Sequence, residues 1–224
     1  MKKLLFILAA SAAIGASAQN NIQWEGVAGL NVSNLGGLGS KPGFHIGAKA
    51  EMGIPSIADG VYANAGALLS LEGCKQDYGE AGSSKTKANF LDIPIHLGYR
   101  YAINDKVSVF GEVGPYFAIG LFGKSKEVET IIDGTDVMEQ TETKVNTFDK
   151  MKRFDVGAGL KFGIEFNQKY SLAIAYDWGF INLNDEKANT EAGDWGESDF
   201  EEDYIDLTPS MKNRNLSISI GYKF

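Results

Sequence analysis

The sequence predicts an all-β chain of eight antiparallel strands that close in up-and-down order into a barrel, and three observations predict it. Apolar residues alternate with polar or small ones through segment after segment, and a period of two marks a strand with one apolar face. The chain holds 27 glycines and 11% aromatic residues against five prolines, a balance that favours many strands and turns in a single domain. The connections between the alternating segments are short and long in turn, as an even-stranded closed meander requires.

Eight segments carry the alternation. Gln23 to Val32 sets Trp24, Gly26, Ala28, Leu30 and Val32 against Gln23, Glu25, Val27, Gly29 and Asn31. Gly43 to Gly53 opposes Phe44, Ile46, Ala48, Ala50 and Met52 to His45, Gly47, Lys49 and Glu51. Val61 to Glu72 places Val61, Ala63, Ala65, Ala67, Leu69 and Leu71 opposite Tyr62, Asn64, Gly66, Leu68, Ser70 and Glu72. Phe90 to Tyr101 opposes Leu91, Ile93, Ile95, Leu97, Tyr99 and Tyr101 to Asp92, Pro94, His96, Gly98 and Arg100, and Pro94, lacking an N–H, predicts a local bulge.

Lys106 to Phe122 turns Val107, Val109, Val113, Phe117, Ile119 and Leu121 away from Ser108, Glu112, Gly114, Ala118 and Gly120. Phe154 to Phe166 is the cleanest strand, with Phe154, Val156, Ala158, Leu160, Phe162, Ile164 and Phe166 against Asp155, Gly157, Gly159, Lys161, Gly163 and Glu165. Tyr170 to Phe180 and Asn215 to Phe224 complete the eight, the last setting Leu216, Ile218, Ile220, Tyr222 and Phe224 against Ser217, Ser219, Gly221 and Lys223.

Which way the apolar faces look decides the environment. The N-terminus, MKKLLFILAASAAIGASAQ, has two lysines, an apolar run and the small residues Ala16, Ser17 and Ala18, the layout of a secretory signal peptide over residues 1–18 with the mature domain at 19–224. After it no apolar run is long enough for a membrane-crossing helix, but a barrel strand needs only about 9 to 11 residues. Ile54–Gly60, Ala102–Asp105 and Asn167–Lys169 are short turns, whereas Ser33–Pro42, Gly73–Asn89, Gly123–Arg153 and Ile181–Arg214 are longer loops. Short turns in the periplasm and long loops outside the cell are the arrangement of transmembrane barrels, which also places both termini on the periplasmic side. Rings prefer membrane interfaces, and Trp24, Tyr99, Tyr101, Phe166, Tyr170, Tyr222 and Phe224 fall near one rim while Phe44, Phe117, Phe154, Trp178 and Phe180 fall near the other. The apolar faces are therefore expected to look toward lipid.

With PGFHIGAKAEMG, FLDIPIHLGYRY, FGEVGPYFAIG and the closing LSISIGYKF in view, the chain from Asn21 to Phe224 resembles the small, porin-like outer-membrane β-barrel domain of Gram-negative bacteria. The resemblance implies fold and location, and it implies that Phe224, with Tyr222 and Ile220 before it, is the signal read by the barrel-assembly machinery. It implies no particular activity.

The inward set expected from parity is Glu25, Lys49, Glu51, Asp92, His96, Arg100, Glu112, Asp155, Lys161, Glu165, Asp177 and Lys223, together with His45. An eight-stranded barrel is only wide enough for side chains to fill, and isolated buried charges are very costly, so these groups are expected to pair as a static polar plug. A narrow ion path gated by rearranging pairs is the functional counterpart. No enzyme is expected: Gly157, Gly159 and Gly163 lie inside a strand rather than before a helix, Lys41 is followed by Pro42 with no P-loop spacing, and no His-Glu-x-x-His or paired-cysteine motif occurs. Neither a cofactor nor a metal is expected.

Cys74, the single cysteine, reads as a small residue near a strand end. Asp133-Gly134, between two apolar pairs in Glu127–Lys144, predicts a hairpin ribbon extending the fifth and sixth strands, or two further strands that would make ten. The acidic run in Ile181–Arg214, from Asp185 and Glu186 to Asp203 and Asp206, reads as a solvated loop before a cation collector bridging to lipopolysaccharide. A formal charge of −8, more acidic once Lys2 and Lys3 are removed, argues against nucleic acid as a partner. The expected protein is a monomeric outer-membrane barrel with a structural or surface-interaction role and lipid and lipopolysaccharide as neighbours. A small channel for ions or solutes is the alternative, and a secreted lipocalin-like carrier, apolar inside and charged outside, the second.

Overall fold

In the computed structural model, residues 22–36, 39–77, 82–133, 136–184 and 210–224 are described. They form β1 (Ile22–Leu35), β2 (Gly39–Gly53), β3 (Val61–Asp77), β4 (Gly82–Ala102), β5 (Val107–Asp133), β6 (Asp136–Asn146), β7 (Phe154–Phe166), β8 (Tyr170–Gly179) and β9 (Asn213–Lys223), with a single 3-10 turn at Thr147–Asp149 among the described residues. Eight strands pair antiparallel around a closed circuit: β1 joins β2 and β9, the meander runs β2–β3–β4–β5–β7–β8–β9, and no edge is left within it. The segments expected to be the signal peptide and the acidic loop from Asp185 to Asp206 lie outside the described residues.

β5 explains how a ninth strand fits an eight-stranded barrel. Its 27 residues pair with β4 along nearly their whole length, but on the other edge Val107–Ile119 pair with β7 and Lys124–Asp133 pair with β6. β6 therefore extends the wall only beyond the barrel proper, as a ribbon rising about 30 Å at the usual strand rise. The ten-strand alternative does not form, because β6 pairs with β5 alone.

The strands outrun the sequence reading at the loop end. Ser33–Pro42 and Gly73–Asn89, expected as loops, are largely strand, since the ladder β1–β2–β3–β4–β5 continues past the last outward apolar residues. The expected bulge at Pro94 is absent. Pro94 faces Tyr116 in unbroken register, and its missing N–H is accommodated where the β3–β4 ladder skips two pairs. The β4–β5 ladder shifts register instead at Leu121, where Asn89 faces Phe122 and Phe90 faces Gly120. At the turn end, Asn167 and Gln168 both take positive φ, 50° and 55°, and Lys169 donates its N–H to the Phe166 carbonyl at 3.1 Å, a left-handed turn within the three-residue connection Asn167–Lys169 whose twist matches its strands.

Polarity inverts along the barrel. Over most of its height the outward side chains are large and apolar, with Leu30 66% and Ile220 65% exposed, while Glu112 and Lys223 are 4% and 3% exposed inside. Toward the loop end the order reverses: Leu35, Cys74, Ala88, Phe90, Tyr116, Ala118, Phe148, Met151 and Leu183 form an apolar cluster inside the wall around the bulge, and beyond it the outward positions of β3, β4 and β5 include Lys75, Lys85, Lys87, Lys124 and Lys126. A wall surrounded by lipid needs an apolar outside, and a wall surrounded by water needs an apolar inside. The inversion marks where one solvent gives way to the other. Aromatic rings crowd the opposite rim, with Tyr170 and Tyr222 centroids 5.4 Å apart and Tyr222 and Phe224 centroids 6.4 Å apart.

Candidate functional site

The interior brings acidic and basic side chains together away from solvent, and strand parity puts them there. It falls into three tiers. Nearest the short turns, Arg100 reaches over β3 to donate twice to Glu51, at 2.7 Å from each nitrogen, while its Nε lies 3.2 Å from Glu165. Lys223 closes the ring, 3.0 Å from Glu51 and 2.6 Å from Glu165. The Arg100 guanidinium also stacks on the Tyr62 ring at 4.5 Å, and that ring lies where a Cβ on Gly98 would clash with it.

In the middle tier Glu112 is the hub. Lys49 lies 3.5 Å from it, Lys161 3.7 Å and His96 Nδ1 3.5 Å, and Tyr62 donates its hydroxyl at 3.1 Å. Lys49 also approaches Glu25 at 3.6 Å, and Ser171 donates to Glu25. These groups come from β1, β2, β3, β4, β5, β7 and β8, so the lattice ties strands that share no backbone ladder.

The third tier, toward the loop end, is acidic. Asp155 accepts from Tyr116 at 2.9 Å, and Glu72 accepts from Asn213 at 2.8 Å and Ser70 at 3.3 Å. Glu72, Asp92 and Asp177 line a cavity of about 50 Å³ with His45, His96, Lys161, Asn213 and Asn215. That volume holds roughly three or four waters. Asp92 Oδ1, Asn213 Oδ1 and Asn215 Oδ1 are buried with no protein hydrogen-bond partner among the described residues. Among the described residues no group of His, Cys, Asp and Glu is arranged to hold a metal ion.

All twelve expected residues and His45 face the interior. Ten of the twelve join the contacts just described, and Asp92 and Asp177 line the cavity beside them. Parity also carried the signal for Glu72 and Tyr62, which sit on the same inward face of β3. The apolar cluster above the third tier is the feature that parity missed. It packs Phe90 and Phe148 edge to face at 5.8 Å and buries Leu183 fully inside the loop end of the barrel. At the other end a mouth of about 690 Å³ opens beside Glu51, Arg100 and Glu165.

Residues 9–185 match the model of the outer membrane protein beta-barrel domain. The chain belongs to that family. Its solved structural relatives are remote: Neisserial surface protein A is 12% identical over 92% of this chain and 98% of that one, with a TM-score of 0.46. Ail, the attachment invasion locus protein of Yersinia pestis, is 13% identical over 91% and 97%, with a TM-score of 0.38. The N-terminal β-barrel domain of Pseudomonas aeruginosa OprF is 12% identical over 90% and 97%, at 0.29. No curated protein matches the chain. For an outer-membrane barrel the turn end is periplasmic and the loop end extracellular. A lipocalin-like carrier would need the reverse polarity, and the charged interior and apolar exterior overturn that alternative.

Proposed function

We propose that this outer-membrane barrel is a closed, non-catalytic wall element that presents its extracellular end, above all the β5–β6 ribbon, to partners outside the cell. One observation carries the reading: side chains occupy the interior at two levels, the ion-pair lattice around Glu112 and the apolar cluster around Phe90 and Phe148. A solute passing through would have to break several buried pairs and then cross a dry layer of side chains. Export by cleavage before Gln19 fits the same reading, since assembly in the outer membrane begins from the periplasm. The test is planar-bilayer recording of the refolded chain without residues 1–18. No stepwise conductance is expected, and reproducible steps would replace this reading with the channel.

A further inference from the structure

The outer wall just above the lipid-facing belt carries a pattern that the barrel itself does not require. Lys75 on β3 faces Lys85 on β4, Lys85 faces Lys126 on β5, and Lys126 faces Lys144 on β6, a lateral row across four neighbouring strands. One step nearer the membrane, Lys87 faces Lys124 on the same face. The intervening residues fix that face as the outer one: Cys74, Ala88 and Phe90 are buried in the cluster inside, and Ser125 bonds Thr86 and Thr147 there. Lys75, Lys85, Lys87, Lys124 and Lys144 are exposed and Lys126 is half-buried.

The bulge at Leu121 makes this arrangement. Counted without it, the alternation of β5 would send Lys124 and Lys126 inward; the extra residue turns both out, beside Lys85 and Lys87. Like charges directly opposite each other on a sheet repel. Four such pairs stand together in a chain that holds 29 acidic residues against 21 basic ones. By register Asp77 and Glu142 lie on the far side of the row from the membrane, so nothing acidic in the ladder separates the lysines from the bilayer.

We infer that this lysine face binds the phosphate groups of a phosphorylated glycolipid in the outer leaflet. Height selects a lipid over a soluble polyanion. Lys87 and Lys124 stand two residues above Asn89 and Phe122, about 5 Å along the membrane normal for a strand tilted by about 40°. The headgroup zone adds about 5 to 7 Å beyond the hydrocarbon core. A lipid whose acyl chains lie against Leu71, Leu91 and Phe122 therefore brings its headgroup phosphates level with the first lysine row, and taller sugar-linked phosphates level with the second. The inference rests on the outer-membrane location, and it assigns the lipid contact to basic side chains in the wall.

The test uses the refolded mature chain in detergent, with bound bisphosphorylated lipid A counted by native mass spectrometry beside its dephosphorylated form. The wild type should bind the phosphorylated form, and the binding should weaken with salt. The triple variant K85Q/K87Q/K124Q should bind roughly a hundredfold more weakly, each lysine near an anionic surface being worth about a factor of five. Equal binding by the variant, equal binding of the dephosphorylated lipid, or binding of heparin in place of the lipid would overturn the inference. Gel mobility before and after boiling reports folding separately, so loss of the barrel is distinguished from loss of the lipid. If the triple variant does not fold, the comparison of the two lipids on the wild type decides.

Discussion

Arg100 and Glu51 hold each other through two parallel bonds of 2.7 Å although they stand on β4 and β2, with β3 between them. The guanidinium passes over Tyr62 of that middle strand, so one side chain clamps three strands near the periplasmic mouth. Removing it leaves Glu51 and Glu165 to share Lys223. Arg100→Ala is expected to cost about 3 kcal/mol, since breaking a buried pair exposes the cost of its abandoned charge. Arg100→Lys keeps the charge but loses the fork, and should cost less. Urea unfolding in phospholipid vesicles measures both: a Lys variant as unstable as the Ala variant would show that the retained charge contributes nothing, and a Lys variant as stable as the wild type would show that the paired geometry contributes nothing.

The barrel's circuit and interior were legible in the sequence because the membrane imposes an uninterrupted two-residue period on every strand it touches. Phe154–Phe166 was readable to the residue for that reason, as were the inward Lys49, Glu112 and Lys223. Legibility ended where lipid ended. Beyond Phe122 water bathes the outside, the period no longer has a fixed meaning, and one extra residue at Leu121 exchanges the faces. Cys74, Phe90 and Phe148 thus read as ordinary apolar residues of loops or strands, and their assembly into a cap depends on register that the sequence does not announce. Pro94 misled in the opposite direction: its missing N–H suggested a bulge, but two skipped pairs toward β3 absorb it without changing register.

The apolar cap gives the extracellular end its own stability. Phe90 is 1% exposed and packs on Phe148, so Phe90→Ala should cost about 3 to 5 kcal/mol by cavity formation. Phe122→Ala, on the outer surface at 65% exposure, should cost much less. Cys74, buried in the same cluster, reports the change directly. Maleimide should label it in the Phe90→Ala barrel under conditions that leave the wild-type thiol unlabelled. Rapid labelling of the wild type would show that the cap is not packed.

The turn between β7 and β8 offers a gain. Gln168 sits at φ 55°, a left-handed conformation that costs residues with a side chain roughly 1 to 2 kcal/mol. Asn-Gly is the favoured pair for such a hairpin, and Asn167 already occupies the first position. Gln168→Gly should therefore stabilise the barrel by about 1 kcal/mol, read as a higher urea midpoint with the same slope. A lower midpoint would mean that the Gln168 side chain makes a contribution larger than its backbone strain.

Leu160 and Lys161 test the orientation of the whole wall, because they are adjacent in sequence and opposite in environment. Leu160 is the seventh of the 13 residues of β7 and faces outward between Val113 and Tyr176. Lys161 points inward, 8% exposed and 3.7 Å from Glu112. An arginine on the lipid face at midplane costs about 2 to 4 kcal/mol. The same side chain at 161 keeps the positive charge beside Glu112, so Lys161→Arg should cost less than half as much. Side-by-side unfolding of the two single variants in vesicles supplies the comparison. A cheap Leu160→Arg paired with a costly Lys161→Arg would require the apolar face to be the dry inside of a water-soluble barrel, and the lysine rows above Phe122 would then have no membrane to stand against.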